Sequence, residues 1–160
     1  MKHSLYALVL IAALAPHVAL ACSCTQPGTV EQEKAQSTRV FLGRVTAIEE
    51  RTPQMDKGWL TVIAEWVRDF IGDRRPPTIR DFPYNQVTFA VTETFKGTPL
   101  KHLQLATGKG SGDCGYFFEV GREYVVYAHG KEDALGAGIC TLTGPPTDPE
   151  SGLAALRDGS

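Results

Sequence analysis

The chain has 160 residues, with 16 basic and 18 acidic side chains and a formal net charge of −2. It holds no dense basic run beyond Arg74-Arg75, which argues against a nucleic-acid partner. Its 42% hydrophobic content excludes a disordered chain, and its length suits one domain with a proper core better than two.

In chain order the first element is a leader. Lys2 and His3 form a short basic start, an apolar stretch runs from Leu5 to Ala15, Pro16 breaks it, and Ala19-Leu20-Ala21 matches an A-x-A cleavage site. Residues 1–21 are therefore expected to be a signal peptide outside the fold, leading to a secreted protein, extracellular or periplasmic. A membrane span needs about 18 or more unbroken apolar residues. Pro16 and His17 interrupt this stretch and nothing later is apolar for long enough, so no membrane insertion is expected. A lipoprotein signal is the rival reading. It usually places Leu three before the cysteine and a small residue two before, whereas Ala19 and Leu20 stand in the reverse order. Ordinary cleavage after Ala21 puts a free α-amine on Cys22, which lipidation would block.

All four cysteines, Cys22, Cys24, Cys114 and Cys140, follow the leader, and an even number in an oxidising compartment reads as two disulfides. Three pairings are formally possible. A Cys22–Cys24 ring would be too tight to be common, so each N-terminal cysteine is expected to reach a distant partner. Each bridge would then close a loop of roughly 90 to 120 residues, for which chain entropy gives about 4–5 kcal/mol.

The next elements read as strands. Residues 39–48, Arg39 to Ile48, alternate and are rich in β-formers, with Gly43 marking a bulge or bend. Between Lys57 and Asp73, Trp59, Ile63, Trp66, Val67, Phe70 and Ile71 recur at helical spacing opposite Thr61, Glu65, Arg68 and Asp69. Gly72 and Arg74-Arg75-Pro76-Pro77 stop this amphipathic helix, which is expected to pack on the domain, with a partner-binding or membrane-surface helix as the alternative, its mixed charges weighing against the membrane. Gln86 to Phe95 form a second alternating run that ends in the turn Lys96-Gly97-Thr98-Pro99, and His102 to Thr107 return as a hairpin strand. A glycine-rich segment, 108–113, leads into Cys114. Further strands are expected at Tyr116-Phe117-Phe118, Glu123–Ala128 and Ile139-Cys140-Thr141-Leu142, and the tail 144–160 is expected to be loosely held. The fold class is thus mainly β, and the strand count fits a five-stranded Greek-key OB barrel with one amphipathic helix.

Several ordered elements then carry a resemblance. Cys22-Ser23-Cys24 with Pro27 close behind, the strand Val40 to Val45, Cys114-Gly115 followed by Val120-Gly121-Arg122-Glu123-Tyr124-Val125, and the final Cys140 together resemble the tissue inhibitor of metalloproteinases family, whose N-terminal domain is netrin-like. The match spans Cys22 to about Leu142, giving a domain over 22–143. The resemblance implies an OB barrel, bridges Cys22–Cys114 and Cys24–Cys140, and a monomer that inhibits zinc metalloendopeptidases. Cys22 would chelate the target's zinc, with Ser23, Cys24, Thr25, Ser111, Gly112 and Asp113 as target contacts. The chain departs from the family in lacking a third disulfide, the His-Pro-Gln after the early proline, and the cysteine-rich C-terminal domain.

Other chemistry is poorly represented. His102 and His129 stand in no metal-ligand spacing and are expected on strand or loop surfaces. No phosphate loop, nucleophile elbow or zinc-protease helix motif is visible, so neither enzymatic activity nor a cofactor is expected. Two functions from different classes remain: a secreted metalloprotease inhibitor acting through Cys22, and a netrin-like interaction or envelope module whose bridges are purely structural.

Overall fold

The computed structural model describes Cys24, residues 28–53, Ile63, Val67, Arg68, residues 79–110 and residues 112–159. Its strands are β1 (Arg39–Arg51), β2 (Tyr84–Lys96), β3 (His102–Thr107), β4 (Glu123–Lys131) and β5 (Ala134–Gly136), with short helices α1 (Val30–Gln36) and α2 (Leu153–Asp158). The strands close into a barrel in the order β1-β2-β3-β5-β4. All neighbours are antiparallel except β3 and β5, which meet in parallel at Ala106 and Gly136.

Gly43 lies at one of the register shifts between β1 and β2. A Cβ there would stand 3.1 Å from the Ala90 carbonyl oxygen and 3.2 Å from the Phe41 ring, so a larger residue would push its neighbours by a few tenths of an ångström where the strand bends.

The first half of β1 is buried without alternation, from Arg39 to Gly43, because two separate cores take its two faces. Phe41 and Val45 point into the barrel with Val87, Phe89, Leu103, Leu105, Tyr124 and Val126, while Val40 and Leu42 point outward with Val125, Tyr127 and Leu156. Inside, a chain of edge-to-face rings runs Phe41–Phe89 at 5.3 Å, Phe89–Phe118 at 5.2 Å and Phe118–Tyr124 at 5.1 Å. Each such pair adds about 0.5–1.5 kcal/mol beyond its buried area.

The outer core is roofed by the two helices. Thr29 opens α1 with a capping box, its Oγ1 accepting from the Gln32 N–H while its own N–H donates to Gln32 Oε1 at 3.0 Å. Lys96 donates to the Lys34 and Ala35 carbonyls, each at 2.8 Å, closing the other end. The segment after Gly144, expected to be loosely held, is packed on the barrel. Gly144 bridges Val125, the Tyr127 hydroxyl donates to the Ser151 carbonyl at 3.0 Å, and Arg157 pairs with Glu93. Leu156 is only 1% exposed. Leu156→Ala is expected to cost about 2–5 kcal/mol, measured as a lower denaturation midpoint at an unchanged m-value.

Two expected strands are absent and one unexpected strand takes their place. Residues 116–118 form no strand, because the Thr107 hydroxyl takes the place of a ladder partner: it accepts from the Tyr116 N–H at 2.8 Å and donates to the Tyr116 carbonyl at 3.3 Å. Residues 139–142 are turns, held by Thr141 Oγ1 donating to the Gly138 carbonyl and accepting from the Thr143 N–H. The fifth strand is Ala134–Gly136, returning from β4 through the turn at Glu132-Asp133. The expected helix Trp59–Ile71 lies outside the described residues except for Ile63, Val67 and Arg68. These three have helical backbone, and Ile63 and Val67 are 49% and 45% exposed. Of the two short α-helices, α1 was not expected, while α2 lies where Leu153-Ala154-Ala155-Leu156 suggested a short turn. No helix among the described residues is long and apolar enough to cross a membrane.

Candidate functional site

Cys24 is bonded to Cys140 with their Cα atoms 5.1 Å apart, closing a separation of 116 residues. Cys24 is thereby fixed to the 138–141 turn. That turn is joined to the 108–114 loop: the Ile139 N–H donates to the Cys114 carbonyl at 3.0 Å, and Gly138 bridges Gly115. Cys114 is itself disulfide-bonded. Three segments far apart in sequence therefore converge at one end of the barrel.

Glycine makes this convergence possible. A Cβ on Gly115 would enter the backbone of Gly108, and one on Gly138 would stand 2.5 Å from the Cys114 carbonyl oxygen. The 108–115 loop and the 138–141 turn touch main chain to main chain, and a Cβ at Gly115 or Gly138 would have no room there. Cys114 adopts φ +57°, in the left-handed region, a conformation uncommon outside glycine and asparagine.

Asp113 holds the loop from within. Its Oδ2 accepts from the Lys109 N–H at 2.7 Å, and its Oδ1 accepts from Gly110 at 2.9 Å and Gly115 at 3.0 Å. Burial pushes this carboxyl up, but the N–H groups of Gly115, Lys109 and Gly110 outweigh it, and the net result lies below the usual aspartate value. A depressed folded value means the contribution is complete above the unfolded pKa and is lost as pH falls through the lower folded one. Protection of the Gly110 and Gly115 amides is therefore expected to persist from neutral pH to below the ordinary aspartate range, then to collapse. Hydrogen exchange across an acid series checks this.

The exposed outline has few fixed groups. Gly112 has nothing within 4 Å of where a Cβ would stand, and Phe117 lies over Gly110 while remaining 71% exposed. Lys109 pairs with Glu50 of β1. Of the site residues expected from sequence, Cys24, Gly112 and Asp113 are described and belong to this cluster, while Cys22, Ser23, Thr25 and Ser111 lie outside the described residues. The structural parts played by Gly108, Gly115, Gly138 and Phe117 were not anticipated. Asp113 carried a signal, since aspartate among glycines favours capping backbone amides of its own turn.

The histidines lie away from this cluster. His102 is exposed on β3. His129 Nε2 stands 3.1 Å from Glu33 Oε1 and 3.4 Å from Ser37 Oγ, tying α1 to β4. Both contacts fall on one ring nitrogen, so they do not form the relay a nucleophilic serine requires. Among the described residues, no group of three or more His, Cys, Asp or Glu is placed to hold a metal.

No protein-family model matches this chain, and no curated protein matches it.

Proposed function

We propose that this protein is an exported inhibitor of zinc metalloendopeptidases, related to the tissue inhibitors of metalloproteinases and built on a netrin-like OB barrel. The observation that carries the reading is the Cys24–Cys140 bridge, set against a turn that is bonded to Cys114. The resemblance implies that bridge, and the bridge ties Cys24 to the turn that is hydrogen-bonded to Cys114, beside Gly112 and Asp113. Cys22 is the remaining cysteine and the implied partner of Cys114. The five-strand order β1-β2-β3-β5-β4 supports the Greek-key OB assignment.

The mechanism follows from the new terminus. Cleavage after Ala21 leaves an α-amine with a reference pKa near 8, so its neutral form is accessible at working pH and more so beside Zn²⁺. The amine nitrogen and carbonyl oxygen of Cys22 would together chelate the target's catalytic zinc, taking the place of the hydrolytic water and raising the coordination number by one. Ser23 enters the primary specificity pocket, and Thr25, Ser111 and Gly112 flank it. Two disulfides hold the terminus before the encounter, so its ordering entropy is not lost on binding. The inhibitor itself has no enzymatic activity and acts as a monomer.

Intact mass and N-terminal sequencing of the exported protein, followed by a panel of zinc endopeptidases, test the proposal. A free Cys22, with inhibition lost on acylation near pH 6.5 where the α-amine reacts ahead of the lysines, supports it. A lipidated or displaced terminus, or a free Cys22 that inhibits nothing, overturns it. The exposed Ile63 and Val67 on helical backbone favour the second reading, a netrin-like interaction module that meets its partner through that segment.

A further inference from the structure

The inhibitor reading assigns residues 108–114 to the target-facing ridge, and the geometry gives Asp113 a different part there from its neighbours. Glycines at 108, 110 and 112 leave this loop little of its own to hold a shape. Freedom at a contact surface is lost on binding, at a cost in affinity. The Asp113 carboxylate removes that freedom beforehand by accepting N–H groups from Lys109, Gly110 and Gly115, which span the loop and the residue beyond Cys114. Three donors converge on it, so both oxygens of this exposed residue are already engaged by the loop's own N–H groups. The left-handed Cys114 next to it and the Phe117 ring over Gly110 close the loop from two further sides. Gly112 is left open.

We propose that Asp113 is a positioning residue: its carboxylate locks the 108–114 loop in the shape that the zinc endopeptidase binds, and it does not itself touch the target. This rests on the inhibitor reading and adds to it the source of the ridge's rigidity.

Two variants of the full mature chain test it. Asp113→Asn sets an amide against the three N–H donors, and Asp113→Glu keeps the charge but moves the carboxylate out by one methylene. In both, the Lys109, Gly110 and Gly115 amides are expected to exchange at least about tenfold faster. The inhibition constant should rise about 10- to 100-fold, the range for losing charge-assisted hydrogen bonds, while the melting temperature moves by only a few degrees. Asp113→Glu inhibiting as well as wild type would mean that charge alone matters, through direct contact, and would overturn the proposal. Unchanged loop exchange, or full inhibition from a loosened loop, overturns it too. Failure of both variants to fold makes Asp113 a residue of the fold and does the same. Wild-type protein that inhibits no zinc endopeptidase overturns the inhibitor reading itself, an outcome distinct from wild-type inhibition that the variants leave unchanged.

Discussion

One alanine added before Cys22 is expected to weaken zinc endopeptidase inhibition by at least about a hundredfold while leaving the melting temperature unchanged. The extension turns the α-amine of Cys22 into an amide nitrogen, which neither carries a free lone pair nor fits the metal's open position. The chelate is then lost, along with the several kcal/mol that a metal bond contributes at such a site. The added residue also displaces Ser23 from the pocket it is proposed to enter. Stability should be untouched, because the barrel and its outer core lie on residues from Val30 onward. Inhibition constants and thermal unfolding measured on one preparation decide the matter. An extended protein that still inhibits at full strength would remove the metal-chelating terminus from the mechanism.

The second large effect belongs to the Cys24–Cys140 bridge. Replacing both cysteines by serine is expected to lower stability by about 4–5 kcal/mol, since the bridge closes a separation of 116 residues and removes that loop's entropy from the unfolded chain. A domain of this size is typically stable by only about 5–15 kcal/mol, so the variant loses a large share of the total. The barrel should still form, because its aromatic interior contains no cysteine. Inhibition should also fall at temperatures where the variant is folded, as the residues before Val30 lose their tie to the 138–141 turn. Leu156→Ala is the control: it lowers stability by a similar amount through the outer core without cutting the disulfide, and should leave inhibition intact. If the serine variant inhibits like wild type under folding conditions, the bridge is structural only and the interaction-module reading gains.

The main strands were legible in sequence because local chemistry determines them. Alternation in Arg39 to Ile48 and Gln86 to Phe95, and the turn residues between Lys96 and Pro99, act within a few residues of one another. The structure extends these strands by a few residues and keeps His102–Thr107 as expected. Ile139 to Leu142 misled because their β-forming side chains are outweighed by a threonine hydroxyl that caps its own turn. Ala134–Gly136 gave no strand signal, since its pairing comes from the β4 hairpin and not from its own propensity.

What the sequence by itself determined is the part that rests on near neighbours and composition: a mainly β chain, its principal alternating strands and the turn between β2 and β3. Tertiary structure decided the rest. It buried the tail through Leu156, gave β1 and β4 a core on each face, and joined Cys24 to Cys140. Each of these depends on residues far apart in the chain, and which of them meet is settled only when the barrel closes and brings β1 between β2 and β4.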